Sequence, residues 1–158
     1  MSRKLRVYIA RHGDALPAQS DSSRPLSARG VQEVEQVAMW ASRQGIEVEQ
    51  IRHSGIQRAQ ESAEIYAHHL QPQSGVRSVP GLRPNDLADK LAEELVHESG
   101  TLLLVGHLPF MGLLAEALIR GDKQVGSVHF PTGGFAGFEY DGTRWSLICT
   151  AAPDQLKD

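Results

Sequence analysis

The stretch VYIARHGDALP, residues 7–17, ends an apolar, β-branched run abruptly in Arg11-His12-Gly13. A guanidinium stays charged at any physiological pH and grips phosphate oxygens through a planar fork. A neutral imidazole can attack phosphorus and hold it covalently. The same residue types recur downstream. His53-Ser54-Gly55 closes a second short predicted strand, with Arg58 close behind, and Gly106-His107-Leu108-Pro109 follows the continuous run TLLLV at 101–105. A second histidine, His107, can donate hydrogen bonds to phosphoryl oxygens and offset growing charge. Gly13 and Gly106 leave room for close backbone approach. Arg11, His12, Arg58 and His107 thus form a set suited to phosphoryl transfer, provided they meet.

They meet only if the strands before them end at one edge of a sheet, where ligands of α/β folds bind. The periodicity predicts strands over Leu5–Ala10, Glu49–His53, Val76–Val79 and Thr101–Val105; the last is apolar throughout, as in a strand covered on both faces. Helices are predicted from Ser27, as cap, to Gly45, then over Ile56–Leu70, Asp86–Glu98 and Pro109–Ile119. Phe135–Tyr140 and Trp145–Ala151 flank Asp141-Gly142, a hairpin signal. Strand and helix alternate until that final pair. The fold class is therefore α/β, a three-layer α/β/α sandwich with a mostly parallel sheet and an antiparallel C-terminal pair. No linker or repeat divides residues 1–158, so one domain is expected. Phe130, Phe135, Phe138 and Trp145 read as core. Pro131-Thr132-Gly133-Gly134 reads as a turn or as part of the pocket mouth. The closing PDQLKD reads as frayed.

Net charge is −3 with histidine neutral, which gives no basic field for nucleic acid or anionic membrane. No run approaches membrane-spanning length, and the cytoplasm is the default location. The single cysteine, Cys149, lies in an apolar run and reads as inert. His68 and His69 are adjacent on a predicted helix and diverge, and no metal-ligand spacing appears, so neither metal nor cofactor is expected.

The motifs resemble those of the histidine phosphatase (phosphoglycerate-mutase-like) superfamily: Arg11-His12-Gly13, the segment SGIQRAQES at 54–62, and Gly106-His107. More narrowly, RHGDA at 11–15, SDSSRPLSARG at 20–30 and GHLPFMG at 106–112 resemble SixA-type phosphohistidine phosphatases. The resemblance implies that His12 is the nucleophile and that Arg11, Arg58 and His107 complete the phosphate pocket. It implies Arg24, in the SDSSRPL loop, as a further phosphate ligand and Asp21 as an orienting group for that loop or for Arg24. Backbone N–H groups near Gly13 and Leu108 are further candidates for binding. It also implies a phosphohistidine-containing protein as partner, of which a histidine-phosphotransfer domain is one kind.

The chain departs from the family pattern at Gly55, in place of proline, and at Glu61 and Ser62, in place of Gln and Thr; these positions read as support for the helix start. The loop PGLRPND at 80–86 has Arg83-Pro84 about where related phosphomonoesterases carry an acid. Asp86, the near carboxylate, is better suited to cap the following helix. Expelling an alkoxide profits from a positioned acid, typically by 10²–10⁴-fold. Expelling an imidazole needs it less. Removal of phosphate from phosphohistidine through a phospho-His12 intermediate is therefore expected. The alternatives are a small-molecule phosphomonoesterase, with Asp86 as acid, and a phosphoprotein-binding module with little turnover.

Overall fold

The computed structural model describes residues 4–120 and 128–156. Within them the elements run β1 (Leu5–Arg11), α1 (Ala28–Arg43), β2 (Gln50–His53), α2 (Gln57–Leu70), β3 (Val76–Ser78), α3 (Ala88–Leu95), β4 (Leu102–Gly106), α4 (Phe110–Leu118), β5 (Phe135–Tyr140) and β6 (Trp145–Ala151). One sheet has the order β3-β2-β4-β1-β5-β6. β1 to β4 run parallel to one another, while β5 is antiparallel to both β1 and β6.

Two-residue alternation sorts the strands' side chains between two cores. Val7, Ile9, Leu102 and Leu104 point to a layer shared with residues of α3 and α4, including Leu95, Met111 and Leu114. Tyr8, Ala10, Leu103 and Val105 point to the opposite layer, with Val34, Val37 and Ala41 of α1 and Ala59, Ala63 and Tyr66 of α2. Helices therefore cover both faces, and the apolar run at 101–105 is buried on both sides for that reason. Phe130, Phe135, Phe138 and Trp145 are all buried, as expected.

Ser27 caps α1: its hydroxyl accepts from the Gly30 N–H at 2.9 Å and donates to Asp14 Oδ2 at 2.7 Å. This cap ties the helix to the segment just after the RHG triplet. The prediction for α3 was too long at both ends. The Asp86 carboxylate accepts from the Arg83 N–H at 2.9 Å, closing a turn in the loop instead of capping the helix. Leu87, 73% exposed, takes the N-cap place with no side-chain hydrogen bond. At the far end, His97 and Glu98 bond three residues back, so the α-helical ladder has already stopped. Expected fraying at the C-terminus is also corrected for residues 153–156: Pro153–Leu156 form a 3-10 turn, with Pro153 buried and Leu156 packed on the second core.

Candidate active site

The carboxyl ends of β1 and β4 lie side by side, with Arg11 in register with Gly106. The ladder extends one step, because the His12 N–H donates to the Gly106 carbonyl at 2.9 Å. That bond sets His12 next to His107, and the two rings stand 5.1 Å apart between centroids, tilted by 53°. β2 pairs with β4, so Ser54, one residue past its end, reaches the same edge. The sequence-predicted convergence of strand ends is thus observed.

His12 is only 7% exposed. Its Nδ1 lies 2.7 Å from the Gly13 carbonyl oxygen. A carbonyl can only accept, so Nδ1 carries the proton and Nε2 keeps its lone pair. Burial pushes the His12 pKa down to about 4, against the Gly13 bond and with the help of the Arg58, Arg11 and Arg24 charges. The ring is therefore neutral near pH 7, with Nε2 as the basic atom. The sign of the pH dependence follows. Between about 6.5 and 4 the unfolded chain binds a proton that folded His12 refuses, so stability falls as pH drops through that interval and is unaffected by this group above it. A histidine titration followed by NMR is expected to place the His12 midpoint near 4; a midpoint near 6.5 contradicts the desolvated environment.

His107 is 1% exposed, and its Nε2 lies 2.7 Å from Ser54 Oγ. That hydroxyl already accepts from the Ile56 N–H at 3.2 Å. Among the described residues its own proton has no acceptor other than Nε2. Ser54 therefore donates to His107, which leaves Nδ1 protonated. His107 Nδ1 is buried without a hydrogen-bond partner among the described residues, as are Arg11 Nε and Arg58 Nε. Orphaned buried donors are rare and costly in a folded chain. Here three cluster at one edge, and all three suit an oxyanion. Burial, then the neighbouring His12 and arginine charges, hold His107 far down, to about 3, so it donates as a neutral ring.

Each arginine is mounted differently. Arg11 fastens its Nη1 to the Phe130 carbonyl at 3.1 Å, and its N–H donates to the Gly134 carbonyl at 2.9 Å. The Pro131–Gly134 turn adds a bond from the Gly133 N–H to the His12 carbonyl at 2.9 Å, so this segment backs the site through main-chain contacts. Arg58 sits in the first turn of α2. Arg24 has φ 49°, a left-handed conformation that costs a non-glycine residue roughly 1–2 kcal/mol. It is held there by its Nε on the Leu16 carbonyl, 3.0 Å, and by the Leu16 N–H on the Pro25 carbonyl, 2.8 Å. Glu61 Oε1 accepts from the Leu26 N–H at 2.7 Å, tying that loop to α2. Burial lowers the Arg11 and Arg58 pKa values, and for Arg58 the Arg24 charge adds to it.

Several assignments take a different form. The Gly13 N–H is engaged by Ser62 Oγ at 3.0 Å and so is not directed at a ligand. Gly13 is small for an internal reason: a Cβ there would meet Val34 Cγ2 at 2.6 Å. At Gly106 it would meet Met111 Cε at 2.5 Å. Both glycines let protein layers close rather than a ligand approach. Asp21 is exposed; its carboxylate accepts from the Ser23 N–H and hydroxyl at 3.0 and 2.7 Å, while only its backbone carbonyl meets the Arg24 N–H. It shapes the loop and does not touch the Arg24 guanidinium. Leu108 is 37% exposed at the rim. His53 Nδ1 accepts from the Gly55 N–H at 3.0 Å, a structural bond. Gly55 has φ +86°, which proline cannot adopt, so the departure from the motif goes with its own turn. Among the described residues no group of three or more His, Cys, Asp or Glu is placed to hold a metal, and no helix is long and apolar enough to cross a membrane.

Sequence reading missed the part played by Ser62. Its hydroxyl donates to the Arg58 carbonyl at 2.8 Å and accepts from Gly13 N–H, and the residue is fully buried. The signal was a polar residue on the buried stripe of α2, between Ala59, Ala63 and Tyr66. Ser62→Ala leaves a buried N–H unpaired, which costs roughly 1–3 kcal/mol. Its expected phenotype is a thermal melt lowered by several degrees and about tenfold slower turnover, with both largely restored in Ser62→Thr. Full activity in the alanine variant rules out this positioning role.

A neutral buried imidazole framed by arginines, at the carboxyl edge of a mostly parallel α/β sheet, is what phosphoryl chemistry at histidine requires. The chain belongs to the histidine phosphatase superfamily (branch 1), whose family model matches residues 7–89. It is 34% identical over 123 residues to phosphohistidine phosphatase SixA of Escherichia coli (strain K12), a match covering 75% of this chain and 76% of that protein. A solved structure of the protein histidine phosphatase SixA complexed with tungstate superposes with a TM-score of 0.85 at 30% identity, over 96% of this chain and 99% of that one. A phosphoserine phosphatase from Entamoeba histolytica in complex with 3-phosphoglyceric acid shares the fold, with a TM-score of 0.72 at 14% identity over 97% of this chain and 100% of that one.

Proposed function

We propose that the protein removes phosphate from phosphohistidine on a partner protein, through a phospho-His12 intermediate. The observation that carries this reading is the His12 ring: neutral, with Nδ1 pinned on the Gly13 carbonyl and Nε2 left basic among the charges of Arg58, Arg11 and Arg24. The likeness to SixA supports the substrate class. Tungstate, a tetrahedral oxyanion, is the ligand of that SixA structure and has the shape of the phosphate released.

In the first step Nε2 attacks phosphorus, the P–N bond to the substrate imidazole breaks, and the P–Nε2 bond forms. The departing ring keeps the proton on its other nitrogen and takes up the electron pair of the broken bond. Arg11, Arg24 and Arg58 hold the three phosphoryl oxygens, and the His107 Nδ1–H donates to them as charge shifts. In the second step water attacks phosphorus, the P–Nε2 bond breaks, and inorganic phosphate leaves with the proton of water shed to solvent.

The surroundings favour P–N over P–O cleavage. The Asp86 carboxylate is bound to the Arg83 N–H and the Asp14 carboxylate to the Ser27 hydroxyl. Among the described residues an alkoxide leaving group would therefore find no placed acid, whereas an imidazole carries its own proton site.

The test compares hydrolysis of a histidine-phosphorylated phosphotransfer domain with that of phosphoserine, p-nitrophenyl phosphate and sugar phosphates. The expected result is a kcat/KM at least about 10²-fold higher on the phosphohistidine protein. Equal or better turnover of a phosphomonoester overturns the assignment. Binding of the phosphoprotein without release of phosphate overturns catalysis altogether.

A further inference from the structure

The loop between β3 and α3 holds an arginine that the phosphoryl site does not use. The Val79 N–H donates to the His53 carbonyl at 3.0 Å, so the loop leaves from the edge where β2 ends. Leu82 is buried, and a Cβ built on Gly106 would lie 3.1 Å from its carbonyl oxygen. The Leu82 peptide therefore packs against the residue just before His107. Arg83 comes next, its N–H closed onto Asp86 Oδ2. Its backbone is fixed on both sides, yet its side chain is exposed and makes no hydrogen bond or ion pair with the described residues. Its charge is one of those that lower the His107 pKa, after burial, His12, Arg58 and Arg11, in keeping with the Leu82 peptide packing beside Gly106.

Charge matching says what such a cation is for. A phosphoryl group brings close to two negative charges near neutral pH. Arg11, Arg24 and Arg58 already act at His12 and offset them. A fourth fixed cation at the rim exceeds what that group needs. A guanidinium also cannot serve as a proton donor, because it does not deprotonate in this range. It does suit a carboxylate, through its fork. That carboxylate must come with the substrate, since the near one on this chain, Asp86, is turned to the backbone.

We propose that Arg83 is a specificity-determining residue that binds a carboxylate flanking the phosphohistidine, so that the protein selects phosphohistidines set in an acidic surface. This rests on the phosphohistidine reading above. The probes are two synthetic peptides, each with one phosphohistidine, flanked by Glu in one and by Gln in the other, with free phosphohistidine as reference. The unaltered protein is expected to favour the Glu peptide by about fivefold in kcat/KM at low salt, the size of one good rim ion pair. Added salt shrinks that ratio. Arg83→Gln brings it to near one, and Arg83→Glu inverts it. Each protein is judged by its own ratio, so a general loss of activity cancels. Turnover of free phosphohistidine with no preference between the peptides, or a preference that survives Arg83→Gln or high salt, overturns the proposal. Failure of the unaltered protein to hydrolyse both peptides and a histidine-phosphorylated phosphotransfer domain overturns the underlying reading instead, and this one with it.

Discussion

Replacing His12 with Ala lowers turnover of a phosphohistidine protein by roughly 10⁴-fold or more, the scale seen when a covalent nucleophile is removed. The reason is specific to its environment. The two imidazoles described beside it at this edge are engaged: His107 Nε2 accepts a hydrogen bond from Ser54 Oγ, and His53 Nδ1 accepts one from the Gly55 N–H. Neither is free to take over. An acid-labile phosphoenzyme, trapped by rapid quench with labelled substrate, is expected in the unaltered protein and absent in the variant. The variant should still fold, because the His12 side chain makes a single hydrogen bond, to the adjacent residue's carbonyl. Near-normal turnover in a folded His12→Ala protein would sink the mechanism outright.

Arg58→Ala is expected to cut kcat/KM by about 10³-fold, comparable to losing one preorganised donor at a developing oxyanion. Arg58→Lys recovers charge but not the fork, and should restore only part of the loss. The stability effect runs the other way. Arg58 has a buried Nε with no partner and sits within the field of Arg24. Removing it relieves repulsion and an orphaned donor, so the phosphate-free melting temperature is unchanged or raised, as when function has been kept at the expense of stability. Added phosphate should raise the melting temperature of the unaltered protein by mass action and do so much less in the variant. A variant that melts several degrees lower without phosphate contradicts this account of the site. Arg11→Ala is a poorer probe of the same point, because its Nη1 also holds the Phe130 carbonyl.

Much of this was legible in the chain itself. Arg11, His12 and His107 follow apolar runs whose alternation and length mark strands, and parallel strands in an α/β sheet end at a common edge. Arg58 was legible because it opens a helix that follows such a strand. What escaped was pairing across sequence distance. Ser62 meets Gly13, Glu61 meets Leu26, and Phe130 meets Arg11 through bonds with no local pattern. The α3 limits escaped for a different reason. Leu87, Leu91 and Leu95 repeat every fourth residue, and that spacing extended the prediction back to Asp86. A single hydrogen bond from the Arg83 N–H to that carboxylate outweighed the pattern and put Leu87 outside the helix. Asp21 acts within its own turn, where its carboxylate bonds Ser23, so of the two roles implied for it the structure places it with the loop and not at the Arg24 guanidinium.

One hydroxyl, that of Ser62, joins the carbonyl of Arg58 to the peptide that follows His12. Anchor and attacker are therefore bolted to the same bracket. Whatever anion the anchor grips, the attacking atom sits at one fixed offset from it. Adapting the inner chamber to a bulkier oxyanion would drag the attacker along, so the interior tolerates little retuning. Diversification of such a protein toward new partners is then confined to its outer lip, where Leu108 and the loop bearing Arg83 can vary without disturbing that spacing.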